Sequence, residues 1–179
     1  MANLKEIRNR ITSVSSTMQI TAAMKMVSAA KLKKAQDAIT AMRPYAEKLT
    51  ELLQSVSATL EGDAGGQFTA QREVNKVLVV VITSNRGLCG AFNSNVIKQS
   101  KIVADSYAGK QVDFFAIGKK GNDAFRKANT VIENKSEVFD NLTFDNVAEI
   151  AEVLTKKFTS GEYDKIEIVY NQFKNAATQ

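Results

Sequence analysis

The chain has 179 residues, 44% of them apolar and 24% charged, which is room for one ordinary domain or a smaller domain plus an extended element. Its single cysteine excludes an internal disulfide framework and suits a reducing compartment, and the absence of histidine leaves this chain alone unable to build a Cys–His pair or a zinc site. The net charge of +5 is uneven: residues 1–48 carry nine Lys/Arg against three Asp/Glu and the remainder fifteen against sixteen, so an acidic partner should meet the N-terminal segment.

No apolar run approaches the ~20 residues that a membrane-spanning helix needs. From Leu4 to Leu60 a 3,4 spacing runs without slipping, and fourteen of its seventeen positions are apolar. The three exceptions are consecutive: Thr21, Lys25 and Ser28. Such a heptad seam predicts a helix over 1–60, roughly 80 Å long, that needs a partner helix. Around the polar interruption, Met24, Met26 and Val27 sit on other faces among several alanines, so the apolar surface widens there. Small residues and flexible methionines suit contact with a surface that is not fixed, although ordinary helix packing would use the same residues. Pro44 removes one helical hydrogen bond, and because the heptad phase continues past it, a single kinked helix is expected.

Residues 61–74 contain three glycines and no periodicity, and read as a linker. An α/β domain is expected over 75–179. "NKVLVVVIT" is a buried strand, followed by a helix over "NSNVIKQSKIVADSYAG" capped by Asn93 or Ser94 and stopped by Gly109. "QVDFFAIG" is a second strand and "KKGNDAFRKA" a short helix. Thr143 opens a third helix that Gly161 closes, and "YDKIEIVYN" is another strand. The alternation implies an α/β fold with a largely parallel sheet covered on both faces.

The stretch with the most chemical promise is "ITSNRGLCGAF", residues 82–92, where a strand empties into a glycine-bearing loop. A dinucleotide fingerprint needs three glycines, and Asn85 stands where the first should be. A Walker loop would end in Gly-Lys-Ser/Thr, but Ala91 and Phe92 follow here, and no arginine follows Cys89 as a cysteine phosphatase requires. Cys89 has Arg86 and a helix N-terminus nearby but no base and no resolving cysteine. No catalytic, metal-binding or cofactor-binding residue is therefore expected. A tight turn, with Cys89 packed as a small apolar residue, explains most of the loop but leaves Arg86 and Leu88 without a structural necessity. An exposed arginine in a rigid loop is a good handle for a carboxylate.

Two stretches together carry a resemblance. "LKEIRNRITSVSSTMQITAAMKMVSAAKLKKAQ" (4–36) and "ITSNRGLCGAFNSNVIK" (82–98) are similar to the signature regions of the gamma subunits of F-type ATP synthases. "RPYAEKL" and "KIEIVYNQF" fit the same family. The resemblance implies a central-stalk rotor, a non-catalytic subunit that couples proton-driven rotation to ATP synthesis and hydrolysis. In that family the N-terminal helix pairs with a C-terminal helix inside a ring of alpha and beta subunits. A Rossmann-like domain lies beside the epsilon subunit and the membrane c-ring. It implies no cofactor and no nucleic acid, with peripheral attachment to the cytoplasmic face of a bacterial inner membrane rather than a place in a mitochondrial matrix or chloroplast stroma. By resemblance, Arg86 and Cys89 face an acidic loop of beta, Lys31 and Lys34 lie along the basic track this loop meets, and Met24, Lys25, Met26 and Val27 form the shaft's bearing surface.

The chain departs from the family at Met18-Gln19, where Gln-Lys is usual, at Ala22, usually Lys, and at Asn85, usually Asp. Gamma subunits run on for roughly another hundred residues, so the sequence resembles their N-terminal part, and the seam's partner helix is expected beyond it. Two other readings compete. One is a basic coiled coil that binds nucleic acid or an anionic membrane through residues 1–48, with steep salt dependence. The other takes the acid-poor N-terminus as a cleaved transit peptide, against which the unbroken heptad phase argues.

Overall fold

A computed structural model describes residues 3–59 and 72–175. The chain divides into two compact units, residues 1–64 and 65–179, each with its own internal contacts.

The first unit is helix α1, Leu4–Thr59, 56 residues long. Asn3 opens it: its side-chain oxygen accepts the Lys5 N–H at 3.2 Å and its carbonyl accepts Glu6 and Ile7. This occupies donors that a helix start leaves free. Hydroxyls of Thr12, Thr17, Thr21 and Thr50 donate to carbonyls four residues back, which satisfies polar side chains along the helix without a partner. The helix runs unbroken through Pro44, as the continuous heptad phase predicts. Every described seam side chain except the half-buried Ile39 is exposed within this unit, Leu4 at 73% and Leu53 at 68% among them. Leu60 and most of the predicted linker, residues 60–71, lie outside the described residues.

The second unit holds β1 (Lys76–Ile82), α2 (Phe92–Asp105), β2 (Gln111–Ile117), α3 (Lys119–Phe125), β3 (Val131–Asn134), a 3-10 turn (Ser136–Phe139), α4 (Phe144–Thr159) and β4 (Lys165–Val169). The strand order is β3-β2-β1-β4, and every pairing is parallel. Right-handed crossovers therefore put α2 and α3 on one face, and the return from β3 to β4 carries α4 across the other. Alternation along β1 divides its side chains accordingly. Val77, Val79 and Val81 pack with Val96 of α2 and Phe125 of α3, while Leu78 and Val80 pack with Ile150 of α4 and Tyr163. All five are at most 1% exposed, and each stabilises the fold by about 1.5–3 kcal/mol once buried. Phe114 of β2 stacks on Phe125, ring centroids 4.2 Å apart.

Two features depart from expectation. α2 begins at Phe92, with Ala91 at the cap position and no side-chain cap bond, so neither Asn93 nor Ser94 caps it. Asn93 lies inside the first turn, and its amide is turned back into the preceding loop. β3 lacks a counterpart among the predicted strands, because four residues between polar stretches carry too little alternation to register. Thr143 does cap α4, its hydroxyl accepting the Asn146 N–H at 3.3 Å, and Gly109 and Gly161 adopt left-handed φ at the ends of α2 and α4.

The sheet is pinned where β1 begins. The Asp164 carboxylate accepts the N–H groups of Asn75 and Lys76, both at 2.9 Å, and Arg72 donates to the Phe158 carbonyl at 3.0 Å while lying over its ring. Asp113, 4% exposed, accepts from the Tyr163 hydroxyl at 2.9 Å and the Gln111 amide at 3.0 Å, with the Lys76 ammonium 3.9 Å away. A buried carboxylate with that many partners costs far less than a bare one.

Candidate protein-interaction site

The loop between β1 and α2 leaves the carboxyl end of a central strand beside the point where strand order reverses, the usual ligand crevice of an open α/β sheet. The Ser84 N–H bonds the Asn93 side-chain oxygen at 2.9 Å, and the Phe92 N–H bonds the Cys89 carbonyl at 3.3 Å. These two donors, one at the strand end and one at the helix start, are thus engaged within the chain. Among the described residues no group of three His, Cys, Asp or Glu side chains could hold a metal ion.

Asn93 organises this loop. Besides accepting from Ser84, its amide donates to the Arg86 carbonyl at 3.1 Å and to Cys89 Sγ at 3.1 Å. Asn85 fastens the loop's other side: it donates to the Ser136 carbonyl at 2.9 Å and accepts the Lys119 N–H at 2.9 Å. An aspartate at this position would keep the second bond but as a carboxylate could not donate the first. Beneath them Thr83, 2% exposed, accepts the Gly121 N–H at 2.8 Å and donates to the Gly118 carbonyl at 3.2 Å, joining the ends of β1 and β2. Gly118 has φ +114°, and a Cβ there would stand 2.1 Å from the Thr83 carbonyl oxygen, so only glycine fits.

What this frame presents outward is basic and apolar. Arg86, Gly87, Leu88 and Gly90 are exposed, and Cys89 is half-buried, its thiol 4.0 Å from the Arg86 carbonyl. Cys89 thus lies within the loop's polar network rather than packing as a plain apolar residue. Lys119 is exposed beside the loop, and the Lys120 side chain lies against Gly87. Sequence reasoning missed Asn93, Lys119 and Lys120 as parts of this site. The pairing of Lys119 with Asn85 spans 34 residues and depends on the β1–β2 register, which has no local signal.

The other predicted residues lie on α1. Met24, Lys25, Met26 and Val27 are exposed, as are Lys31 and Lys34, which sit one turn apart on one side of the helix. None of these three lysines takes part in an ion pair among the described residues. The predicted residues thus fall into two groups, one on each unit.

The family described as ATP synthase matches residues 3–179. The chain is 80% identical over its full length to the ATP synthase gamma chain of Flavobacterium psychrophilum and 78% to that of Flavobacterium johnsoniae, covering 63% of each. Against the gamma chain of Cytophaga hutchinsonii it is 46% identical, again over all of this chain and 63% of the relative. The chain thus spans a little under two thirds of the length of these relatives. Among solved structures it resembles the central stalk/c-ring of the Tetrahymena thermophila mitochondrial ATP synthase, with 27% identity and a TM-score of 0.65 over 89% of this chain and 68% of that one. The rotor of the Euglena gracilis mitochondrial enzyme shares the fold, at 24% identity and a TM-score of 0.61 over 96% of this chain and 58% of that one. A long helix with an exposed heptad seam, a parallel α/β unit and a basic loop are here joined to a family match over residues 3–179 and up to 80% identity with known gamma chains: the protein belongs to the ATP synthase family, among its gamma chains.

Proposed function

We propose that this chain works as part of the central-stalk rotor of an F-type ATP synthase. It carries torque between a proton-driven membrane c-ring and the catalytic ring of alpha and beta subunits, with the epsilon subunit beside its α/β unit. The observation that supports this best is α1 itself, 56 residues long, whose described seam side chains from Leu4 to Val56 are exposed within their unit except for the half-buried Ile39, as a shaft helix awaiting a partner requires. The role is non-catalytic: the chain has no histidine, and among the described residues Cys89 has only the Asn93 amide and the Arg86 carbonyl as polar partners, neither of them a base. No helix among the described residues is long and apolar enough to cross a membrane, which fits peripheral attachment through the complex at the cytoplasmic face of a bacterial inner membrane.

In this reading the loop at Arg86 and Cys89 meets an acidic loop of beta, Lys31 and Lys34 line the basic track of the shaft, and Met24, Lys25, Met26 and Val27 bear against the ring. Residues 1–60 form the shaft helix, 61–74 the linker and 75–179 the Rossmann-like unit. The test is ATP-driven proton pumping by the reconstituted enzyme whose gamma subunit carries this sequence. A rim ion pair is worth about 1 kcal/mol or less, and reversal sets like charges together. Arg86→Glu should therefore impair coupling more than Arg86→Ala, and a charge reversal on beta's acidic loop should partly restore it. Equal pumping by all forms would remove Arg86 from the contact.

A further inference from the structure

Leu88 has a conformation and an environment that nothing among the described residues explains. It is the one non-glycine residue with a positive φ among the described residues, +59°, and its side chain is fully exposed, at 110% of the reference area. For an L-residue with a Cβ this left-handed region is unfavourable, whereas glycine enters it freely. Glycine stands on one side of Leu88 at position 87 and again at 90, where φ is also +59°. A glycine or asparagine at 88 would therefore suit the backbone better, and a polar side chain would suit the solvent better. The loop cannot fold the leucine inward, because Asn93 and Asn85 fix it from both sides.

From this strain and exposure we infer that Leu88 is an apolar anchor, inserted into a socket on the protein surface that the loop contacts. The socket is rimmed by carboxylates, because Arg86 and Lys119 stand exposed around the leucine and Lys120 lies against Gly87. Buried apolar anchors ringed by polar contacts are the usual carriers of interface energy. A lipid bilayer is the poorer partner, since one leucine offers little apolar area for insertion. The inference rests on the contact-surface reading of the loop and adds to it the residue that seats the contact.

The experiment separates the two. The gamma subunit carrying this sequence, as wild type and as Leu88→Gly, Leu88→Asn and Arg86→Ala, is mixed one to one with tagged wild type and limiting alpha and beta subunits. The incorporated ratio is read by mass spectrometry, and the Tm of each free subunit by calorimetry. Leu88→Gly should leave the Tm unchanged or higher, because the strain is relieved, yet be incorporated about fivefold less than wild type. That ratio corresponds to about 1 kcal/mol. Leu88→Asn, which tolerates the same φ, should lose as much. Two results overturn the anchor while sparing the loop contact: a Leu88→Gly subunit whose Tm falls by several degrees, or one incorporated equally while Arg86→Ala is depleted. Equal incorporation of all four forms overturns both readings. Leucine-dependent binding of the free subunit to vesicles of phosphatidylglycerol would assign the residue to a membrane and also overturn the proposal.

Discussion

The side-chain oxygen of Asn93 accepts the backbone N–H of Ser84 at 2.9 Å, closing the loop after β1 from inside the helix that follows it. The same amide holds the Arg86 carbonyl and the Cys89 sulfur, so one side chain replaces the hydrogen bonds that the loop backbone lacks.

Asn93→Ala leaves the half-buried Ser84 N–H and the Arg86 carbonyl without that partner. The expected loss is about 1–3 kcal/mol in urea denaturation. Asn93→Asp keeps the acceptor for Ser84 and loses the donors, so it should fall between the two. Alkylation of Cys89 should quicken in the order wild type, Asp, Ala as the loop loosens. An Ala variant with unchanged stability and unchanged thiol reactivity would show that the loop is held by other means.

Gly118→Ala places a methyl group 2.1 Å from the Thr83 carbonyl at a φ of +114°. Strain and clash together should cost about 3 kcal/mol or more. Gly109→Ala is the comparison: it shares a positive φ, but nothing lies within 4 Å of its added Cβ. Its smaller loss should measure the backbone contribution alone. Denaturation curves in which the two variants coincide would contradict the close approach at Thr83.

Tyr163→Phe keeps the buried ring and removes the hydroxyl that donates to Asp113 at 2.9 Å. A hydrogen bond to a charged acceptor is typically worth about 1.5–3 kcal/mol. Burial first, and then the bond to Asp113, push the phenol above its ordinary value of 10.0. The folded value lies above the unfolded one, so the hydroxyl's contribution is fully present below pH 10 and is lost as pH rises past it. The stability gap between wild type and variant should stay constant from pH 6 to 9 and narrow only above 10.

Asp164→Ala removes the acceptor for the Asn75 and Lys76 N–H groups, which hold this carboxyl below its ordinary value of 3.8. A lowered folded value places the stabilisation above that pH and removes it as pH falls through the folded value. The variant should melt below wild type at neutral pH, and the two Tm curves should converge in acid. Parallel curves down to pH 2 would mean that the carboxylate contributes nothing through its charge.

The helices and the longer strands were legible in the sequence for separate physical reasons. α1 shows because its apolar residues repeat over eight heptads, and β1 because six apolar residues in a row fit only a strand covered on both faces. α4 carries a Thr143 cap, a 3.6-residue period and a Gly161 stop. β3 stayed hidden because a short edge strand takes its identity from its neighbour: Phe114 pairs with Val131 and Phe115 with Glu133, with a register shift between the two pairs. At the site, Arg86 and Leu88 could be singled out by elimination, since no turn geometry requires an arginine or a leucine. Asn93 looked like a helix cap because Asn before an apolar run usually is one. Its actual partners, Ser84, Arg86 and Cys89, become visible only once the chain has turned back on itself.

The anchoring of residues 83–93 has a mechanical consequence. Thr83 is tied to the end of β2 and the third residue of α3, Asn85 to the start of α3 and the 3-10 turn, and Asn93 to Ser84 from within α2. A sideways push on Leu88 is therefore shared among several supports and resisted in more than one direction, as with a gear tooth cut from the wheel rather than hinged to it. Compliance on this side of the unit is low, and little of an applied displacement would be dissipated in bending the loop.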